Sequence, residues 1–269
     1  MQIDISIIIV NFRARGLVRE CIKGLKSLST NLRFEIIVVD NSNDLQLANL
    51  LIERFSDVQY VPMKKNIGFS QANNVGIKMS RGTYILILNY DITPLENSLD
   101  TLFSYMESHP QTGMVGPQLL NPDGTMQDSR YRFHSLLTPF LRRSWFGKIW
   151  KGKDHIEHFL MRDTTPDESI DVDWLLGACL LVRASCIATV GLMDERFFLY
   201  FEDTDWCRRF WESGYKVQYV PSARMIHLHR RDSAQGGALA VLFHTPTRIH
   251  IASWIKYILK WQNNGRHIK

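Results

Sequence analysis

The chain has 269 residues, 45% of them hydrophobic and 22% charged, which is enough to bury a full core and excludes general disorder. Its formal charge is +5, yet 27 acidic residues nearly balance 32 Lys and Arg, and no dense basic block appears before the C-terminal end. That balance does not describe a nucleic-acid-binding surface. The four cysteines, Cys21, Cys179, Cys186 and Cys207, lack paired zinc or redox spacing and are expected as reduced core residues.

Residues 4–11 form a β-branched apolar run closing on polar Asn11, which predicts a strand. Leu17, Cys21, Leu25 and Leu28 then recur on one face of a helix over 17–28. The strand pattern returns over 35–40, where four apolar residues end on Asp40, Asn41 and Ser42. A helix over 45–55 and a strand over 58–62 follow. Asn66, Ile67, Gly68 and Phe69 open a further helix through Ala72, Val75 and Met79, stopped by Arg81 and Gly82. Residues 84–88 are another buried strand, ending on Asn89, Tyr90 and Asp91.

Strands that are apolar throughout and separated by helices predict an α/β fold, with a mostly parallel central sheet and helices on both faces. Ligands of such sheets lie beyond the carboxyl ends of the strands. Asn11, Asp40 and Asp91 should therefore converge on one crevice.

The second half reads differently. Residues 121–124 are a turn, and residues 136–171, rich in aromatic and charged side chains, read as a long functional loop. Order returns with an apolar run over 172–182, a helix over 203–212 and a strand over 216–220. Residues 247–261 place Ile251, Trp254, Ile255 and Ile258 at helical spacing, with Arg248, Lys256, Lys260 and Arg266 nearby. Such a C-terminal helix either makes peripheral contact with a membrane or packs on its own domain or a second subunit as a homodimer. The apolar stretches over 5–10 and 174–182 fall short of a signal sequence or a bilayer span of roughly 20 residues, so a cytoplasmic protein is expected.

The segment Gly191 to Arg208, GLMDERFFLYFEDTDWCR, is the most informative. Phe197, Phe198, Tyr200 and Phe201 lead into Glu202, Asp203, Thr204 and Asp205. Three carboxylates within four residues repel one another unless cations or helix N-terminal amides offset them. They are an acidic helix start, with Asp203 or Thr204 as cap, or they serve chemistry. An aromatic wall that raises carboxylate basicity favours chemistry.

With IIIVNF at the first strand, VVDNS, NIGFSQANNVGI, ILILNYD, DWLLGACLLVR and HLHRRDS in this order, the chain resembles glycosyltransferase family 2. These are inverting transferases with a GT-A (Rossmann-like) fold, and the likeness runs over roughly residues 5–233. Within the family it looks most like bacterial rhamnosyltransferase-type members. The resemblance implies a nucleotide-diphosphate sugar donor, here dTDP-rhamnose or else a UDP- or GDP-hexose, and a divalent cation, Mg2+ or Mn2+. It also implies a saccharide or lipid-linked saccharide acceptor in bacterial surface polysaccharide synthesis, at the cytoplasmic face of the inner membrane. Residues 1–100 would form the donor half, 101–235 the acceptor-binding and catalytic half of the same domain, and 236–269 a helical extension.

The implied roles fall on matching positions. Asp40 accepts the nucleobase imide N–H, while Asn11, Asn66, Gly68, Asn73 and Asn74 line the nucleoside and sugar. Asp91 is the second aspartate of the metal-binding DxD motif, and Asn89 replaces the first, which weakens metal binding by the empty enzyme. His227 or His229 completes the metal site, with His227 preferred. Arg230 and Arg231 face either the diphosphate or solvent. Asp173 and Trp174 mark the acceptor side, where Trp174 stacks on a sugar or lies in the core. Gly177 lets the backbone approach the donor sugar. Asp203 is the base, Asp205 its rival, and Glu202 orients the base or the acceptor. A nucleotidyltransferase is disfavoured because residues 11–16 hold a single glycine and no phosphate-binding loop. A non-catalytic sugar-nucleotide sensor is opposed by the intact Asp91 and Asp203.

Overall fold

The computed structural model describes residues 2–135, 138–143, 149–165, 167–228 and 244–262. It opens with β1 (Ile3–Asn11), α1 (Arg15–Ser27), β2 (Phe34–Asp40), α2 (Leu45–Arg54), β3 (Gln59–Pro62), α3 (Phe69–Met79) and β4 (Gly82–Leu88). Strands β3, β2, β1 and β4 lie side by side and all run parallel. Successive strand residues point to opposite faces. Thus Ile5, Ile7 and Ile9 pack with Val18, Ile22 and Leu25 of α1 and Leu47 and Leu51 of α2. Ile8, Val10, Ile37 and Val39 pack on the other face with Ala72 and Ile77 of α3. Because both faces are covered, the strands need no polar alternation, and each buried aliphatic side chain contributes about 1.5–3 kcal/mol.

The chain continues through β5 (Ile92–Pro94), α4 (Ser98–Ser108), β6 (Thr112–Leu120), β7 (Arg130–Tyr131), α5 (Thr138–Arg143) and α6 (Trp150–Phe159). Then come β8 (Ile170–Asp171), β9 (Trp174–Leu175), β10 (Cys179–Arg183), α7 (Ile187–Val190), α8 (Glu202–Glu212), β11 (Lys216–His227) and α9 (Thr245–Trp261). Strand β10 enters the sheet antiparallel to both β4 and β6, while β11 runs parallel to β6 and antiparallel to β5 and β8. The sheet is therefore parallel in its first half and mixed in its second. A separate ribbon pairs β7 with β9.

One sequence expectation changes here. Residues 136–171 are not one irregular loop, since α5, α6 and β8 lie within them; charged residues hid a helix anchored by Ile156 and Phe159. The apolar run 172–182 divides into β9 and β10 on either side of a turn at Gly177. Helix α9 packs on its own domain through Tyr257 and Trp261, which join Phe197 and Phe201 in a small core; Trp254 and Ile258 lean on it while Ile255 is exposed. Among the described residues no helix is long and apolar enough to cross a membrane.

Helix α3 begins at Gly68, whose φ of 87° suits glycine, and a Cβ there would lie 2.6 Å from the Phe198 carbonyl oxygen. Left-handed backbone costs a residue with a side chain about 1–2 kcal/mol, and the clash adds to it. Gly68→Ala should therefore lower unfolding free energy by at least that amount in urea titration; an unchanged midpoint would contradict this close approach.

Candidate active site

Asp40 ends β2 wholly buried. Its Oδ1 accepts from Asn11 Nδ2 at 2.7 Å, from the Ser42 amide at 2.9 Å and from Ser42 Oγ at 2.6 Å. Its Oδ2 accepts from the Asp44 amide at 2.6 Å and Tyr60 Oη at 2.7 Å. A carboxylate has about four lone-pair directions, so five donors saturate it. Burial alone would raise its pKa, but these bonds outweigh burial and hold it below the usual carboxylate range. Through these bonds Asp40 shapes the β2–α2 turn. Asn11 is likewise spent, its Oδ1 accepting from the Ala14 amide at 3.0 Å.

The residues from Asn66 to Asn74 also hold structure. Asn66 Oδ1 accepts from the Gly68 amide at 2.9 Å. Asn74 grips the chain before α8, donating to Met193 O at 2.8 Å and accepting from its amide at 3.0 Å. Asn73 donates to Phe69 O, and its Oδ1 is buried with no hydrogen-bond partner. Asn41, which sequence reasoning passed over, donates to Gly68 O at 3.0 Å and so ties the end of β2 to this loop. Its signal was only its place beside Asp40.

Asp91 and His227 do meet. Pairing of β5 with β11 sets His227 opposite Ile92, and the Leu228 amide donates to Asp91 O at 2.9 Å. His227 Nε2 lies 3.5 Å from Asp91 Oδ1, an oxygen that is buried without a hydrogen bond. On its far side Nδ1 donates to Gln127 Oε1 at 3.0 Å, which fixes the ring with Nε2 turned toward Asp91. One carboxylate and one imidazole fit a cation that takes its other ligands from phosphate and water. Among the described residues no three His, Cys, Asp or Glu side chains converge. His229, Arg230 and Arg231 lie outside the described residues.

The Asp91 turn abuts the turn that holds Asp203, because the Asn89 amide donates to Ala178 O at 2.8 Å. Asn89 itself is half-buried. Asp203 Oδ2 accepts from the Gly177 amide at 2.9 Å, and Oδ1 accepts from the Thr204 amide at 2.7 Å. A Cβ on Gly177 would fall 3.1 Å from Asp203 Cβ, so this glycine seats the carboxylate. Burial raises the pKa of Asp203, with the two amides opposing it. Burial raises Glu202 further, aided by the charges of Asp203 and Asp205, and its Oε2 has no hydrogen-bond partner. Neither Asp203 nor Thr204 caps α8; the cap is Phe201, and all three acids lie in the first turn. Asp205 is fully buried and ion-paired to Arg209 and Lys260.

Trp174 is only 5% exposed, stacks on Tyr131 at 4.2 Å between centroids and donates to Arg132 O. It is a core residue, so its stacking on an acceptor sugar is not supported. Asp173 accepts the Phe133 amide at 2.6 Å, and burial raises its pKa against that bond. Beside it opens a cleft of about 440 Å³ lined by Arg132, Phe133, Ser135, His155 and Phe159 among others. His134, unremarked in the sequence, lies 4.9 Å from the Phe201 ring, and burial pushes its pKa down to about 3, leaving it neutral.

Residues 6–170 match the family model described as Glycosyl transferase family 2. The chain belongs to that family and is a glycosyltransferase. It is 28% identical over 255 residues to N-acetylglucosaminyl-diphospho-decaprenol L-rhamnosyltransferase of Mycobacterium tuberculosis, across 89% of this chain and 82% of the relative. Rhamnosyltransferase WbbL of Escherichia coli is 25% identical, across 95% of this chain and 93% of its own. The dTDP-rhamnosyl transferase RfbF of Shigella flexneri is 24% identical, across 84% and 72%. Among solved structures, GalNAc-T7 with UDP, GalNAc and Mn2+ superposes with a TM-score of 0.69 at 15% identity, over 97% of this chain and 48% of that one. TarS of S. aureus gives 0.58 at 13% identity, over 84% and 37%. The chain spans about half or less of those two chains, and the likeness shows the GT-A fold.

A carboxyl whose pKa is raised by folding favours the folded state fully below its unfolded pKa, an advantage lost as pH rises through the folded value. At neutral pH the buried Glu202 therefore weighs against folding. Glu202→Gln should raise Tm at pH 8, and the gain should vanish as pH falls toward about 4, where the unfolded carboxyl protonates. A gain that persists at low pH, or a loss at pH 8, would contradict the burial assigned to this residue.

Proposed function

We propose that the enzyme transfers L-rhamnose from dTDP-rhamnose to a saccharide or lipid-linked saccharide, with inversion at the anomeric carbon, in bacterial surface polysaccharide synthesis. The sugar is supported by the names of the three relatives, and the lipid diphosphate link of the acceptor by that of the mycobacterial one. The observation that carries the chemistry is a buried carboxylate, Asp203, held by the Gly177 amide next to the Asp91 turn.

In this reading Asp203 accepts the proton of the acceptor hydroxyl as its oxygen bonds to the anomeric carbon. The bond from that carbon to the phosphate oxygen breaks, and the nucleoside diphosphate leaves. A base works best when its pKa lies near the operating pH, and burial moves Asp203 in that direction. Asp91 and His227 would hold the divalent cation, which when bound stabilises charge on the departing diphosphate. The cleft beside Asp173, bordered by α5 and α6, is proposed to receive the acceptor. Residues 1–100 would serve the donor, 101–235 the acceptor and catalysis. Exposed Ile255 and Leu259 on α9, beside Lys256, are the side chains we would set against the membrane surface carrying a lipid-linked acceptor.

Glu202 is the second candidate base, because its Oε2 is buried without a partner. Two variants separate the readings. Asp203→Asn should bind dTDP-rhamnose with manganese, seen as a thermal shift, yet lose on the order of 10²–10⁴-fold in transfer rate. Glu202→Gln should lose less. Full activity in Asp203→Asn removes the assignment, and a larger loss in Glu202→Gln moves the base to Glu202.

A further inference from the structure

Helix α9 reaches the first turn of α8. Lys260 Nζ lies 2.6 Å from Asp205 Oδ1 and 2.7 Å from Asp194 Oδ2. Trp261 Nε1 donates to the same Asp205 Oδ1 at 2.9 Å. From α8 itself, Arg209 Nε donates to Asp205 Oδ2 at 3.0 Å while its other nitrogens donate to the carbonyls of Val190 and Leu192. One turn of α8 is thus bound at both oxygens of a single buried carboxylate. Arg208 adds to the seam, lying 4.3 Å from the Trp261 ring centroid.

The same helix braces the backbone that enters α8. Tyr200 and Phe201 both have φ of 69°, a left-handed conformation that strains residues bearing a side chain. Ser253 Oγ donates to Leu199 O at 2.8 Å, and Lys256 Nζ donates to Arg196 O at 2.8 Å. The Tyr257 ring packs 5.4 Å from that of Phe201, and His250 lies against both Tyr200 and Phe201. A strained turn persists only where its surroundings hold it.

We propose that Lys260 and Trp261 are positioning residues for sugar transfer: by gripping Asp205 they fix the first turn of α8 and so keep Asp203 seated on Gly177. This rests on Asp203 being the base. Glu202 and Asp203 repel Asp205, and the cations of Lys260 and Arg209 offset that repulsion. Removing one cation leaves a buried charge partly uncompensated, and the turn carrying it must shift. The charged and titratable groups facing this turn are Glu202, Arg208 and Arg209 of α8, Tyr257 and Lys260 of α9, Asp194 and Arg196 before α8, and Asp173 before β9.

The test compares Lys260→Met and Trp261→Phe with Lys260→Arg, and with Ala252→Ser on the exposed side of α9. Two readouts are taken: hydrogen–deuterium exchange over residues 199–206, and kcat and KM with dTDP-rhamnose as donor. Lys260→Met should exchange faster over this segment and lose on the order of 10- to 100-fold in kcat, with KM for the donor within about twofold. Its acidic limb of kcat against pH should move up, because one cation fewer then lies beside the charges around Asp203. Lys260→Arg should recover most of the rate, and Ala252→Ser should match the parent. Unchanged exchange in folded Lys260→Met overturns the proposal. So does faster exchange with unaltered kcat and pH profile, since the helix would then be a structural brace alone. If Lys260→Met does not fold, Trp261→Phe, which deletes one N–H donor, decides by the same two criteria. If the parent enzyme does not turn over dTDP-rhamnose, the donor assignment falls, and the same two readouts are taken with the UDP- or GDP-hexose that it does turn over. Retained transfer in Asp203→Asn removes the base separately.

Discussion

The hydrogen bond from the Gly177 amide to Asp203 is the constraint on which the rest of the site depends. It joins the turn between β9 and β10 to the first turn of α8, so the sheet and the helix cannot place their functional groups independently. The Asn89 amide, bonded to Ala178 O on the same turn, brings the Asp91 segment into register with it. Strand β10, inserted antiparallel between β4 and β6, makes this arrangement possible. Had the sheet continued parallel, the loop before β10 would open at the opposite end from the carboxyl ends of β1, β2 and β4.

Buried carboxylates in this enzyme follow two energetic regimes. Asp40 accepts five hydrogen bonds, so its charge is stabilised and its work is to hold a turn. Glu202 and Asp203 are buried with fewer donors, and their charged forms are penalised. The second regime is costly for stability and useful for a base, since a proton acceptor needs basicity that a saturated carboxylate lacks. Asp205 belongs to neither: it is buried but neutralised by Lys260 and Arg209. Three acids in one helical turn coexist because their partners differ.

The first half of the fold was legible in the sequence because strands covered on both faces are uniformly apolar and end abruptly on Asn11, Asp40 and Asn89. The convergence of Asp91 and His227 was also legible, through the motif order. What sequence could not show was how many donors each acid would meet. The five partners of Asp40 come from two strands and a turn, and the stacking of Trp174 on Tyr131 joins residues far apart in the chain. On α9 the expected stripe meets the domain at Trp254 and Ile258, but Tyr257 and Lys260, amphipathic residues, supply contacts that Ile255 does not. Helix α6 was missed because its few apolar residues sit among Lys, His, Asp and Glu.

The central claim is that Asp203, seated on Gly177, takes the proton of the acceptor hydroxyl. The most direct measurement is a crystal structure of the enzyme with a nucleoside diphosphate, manganese and a saccharide acceptor. The account predicts an acceptor hydroxyl about 2.6–3.2 Å from an Asp203 carboxylate oxygen, with the Gly177 bond intact. An acceptor hydroxyl placed on Glu202, or one with no carboxylate within reach while Asp203 stays turned into its seat, would contradict it.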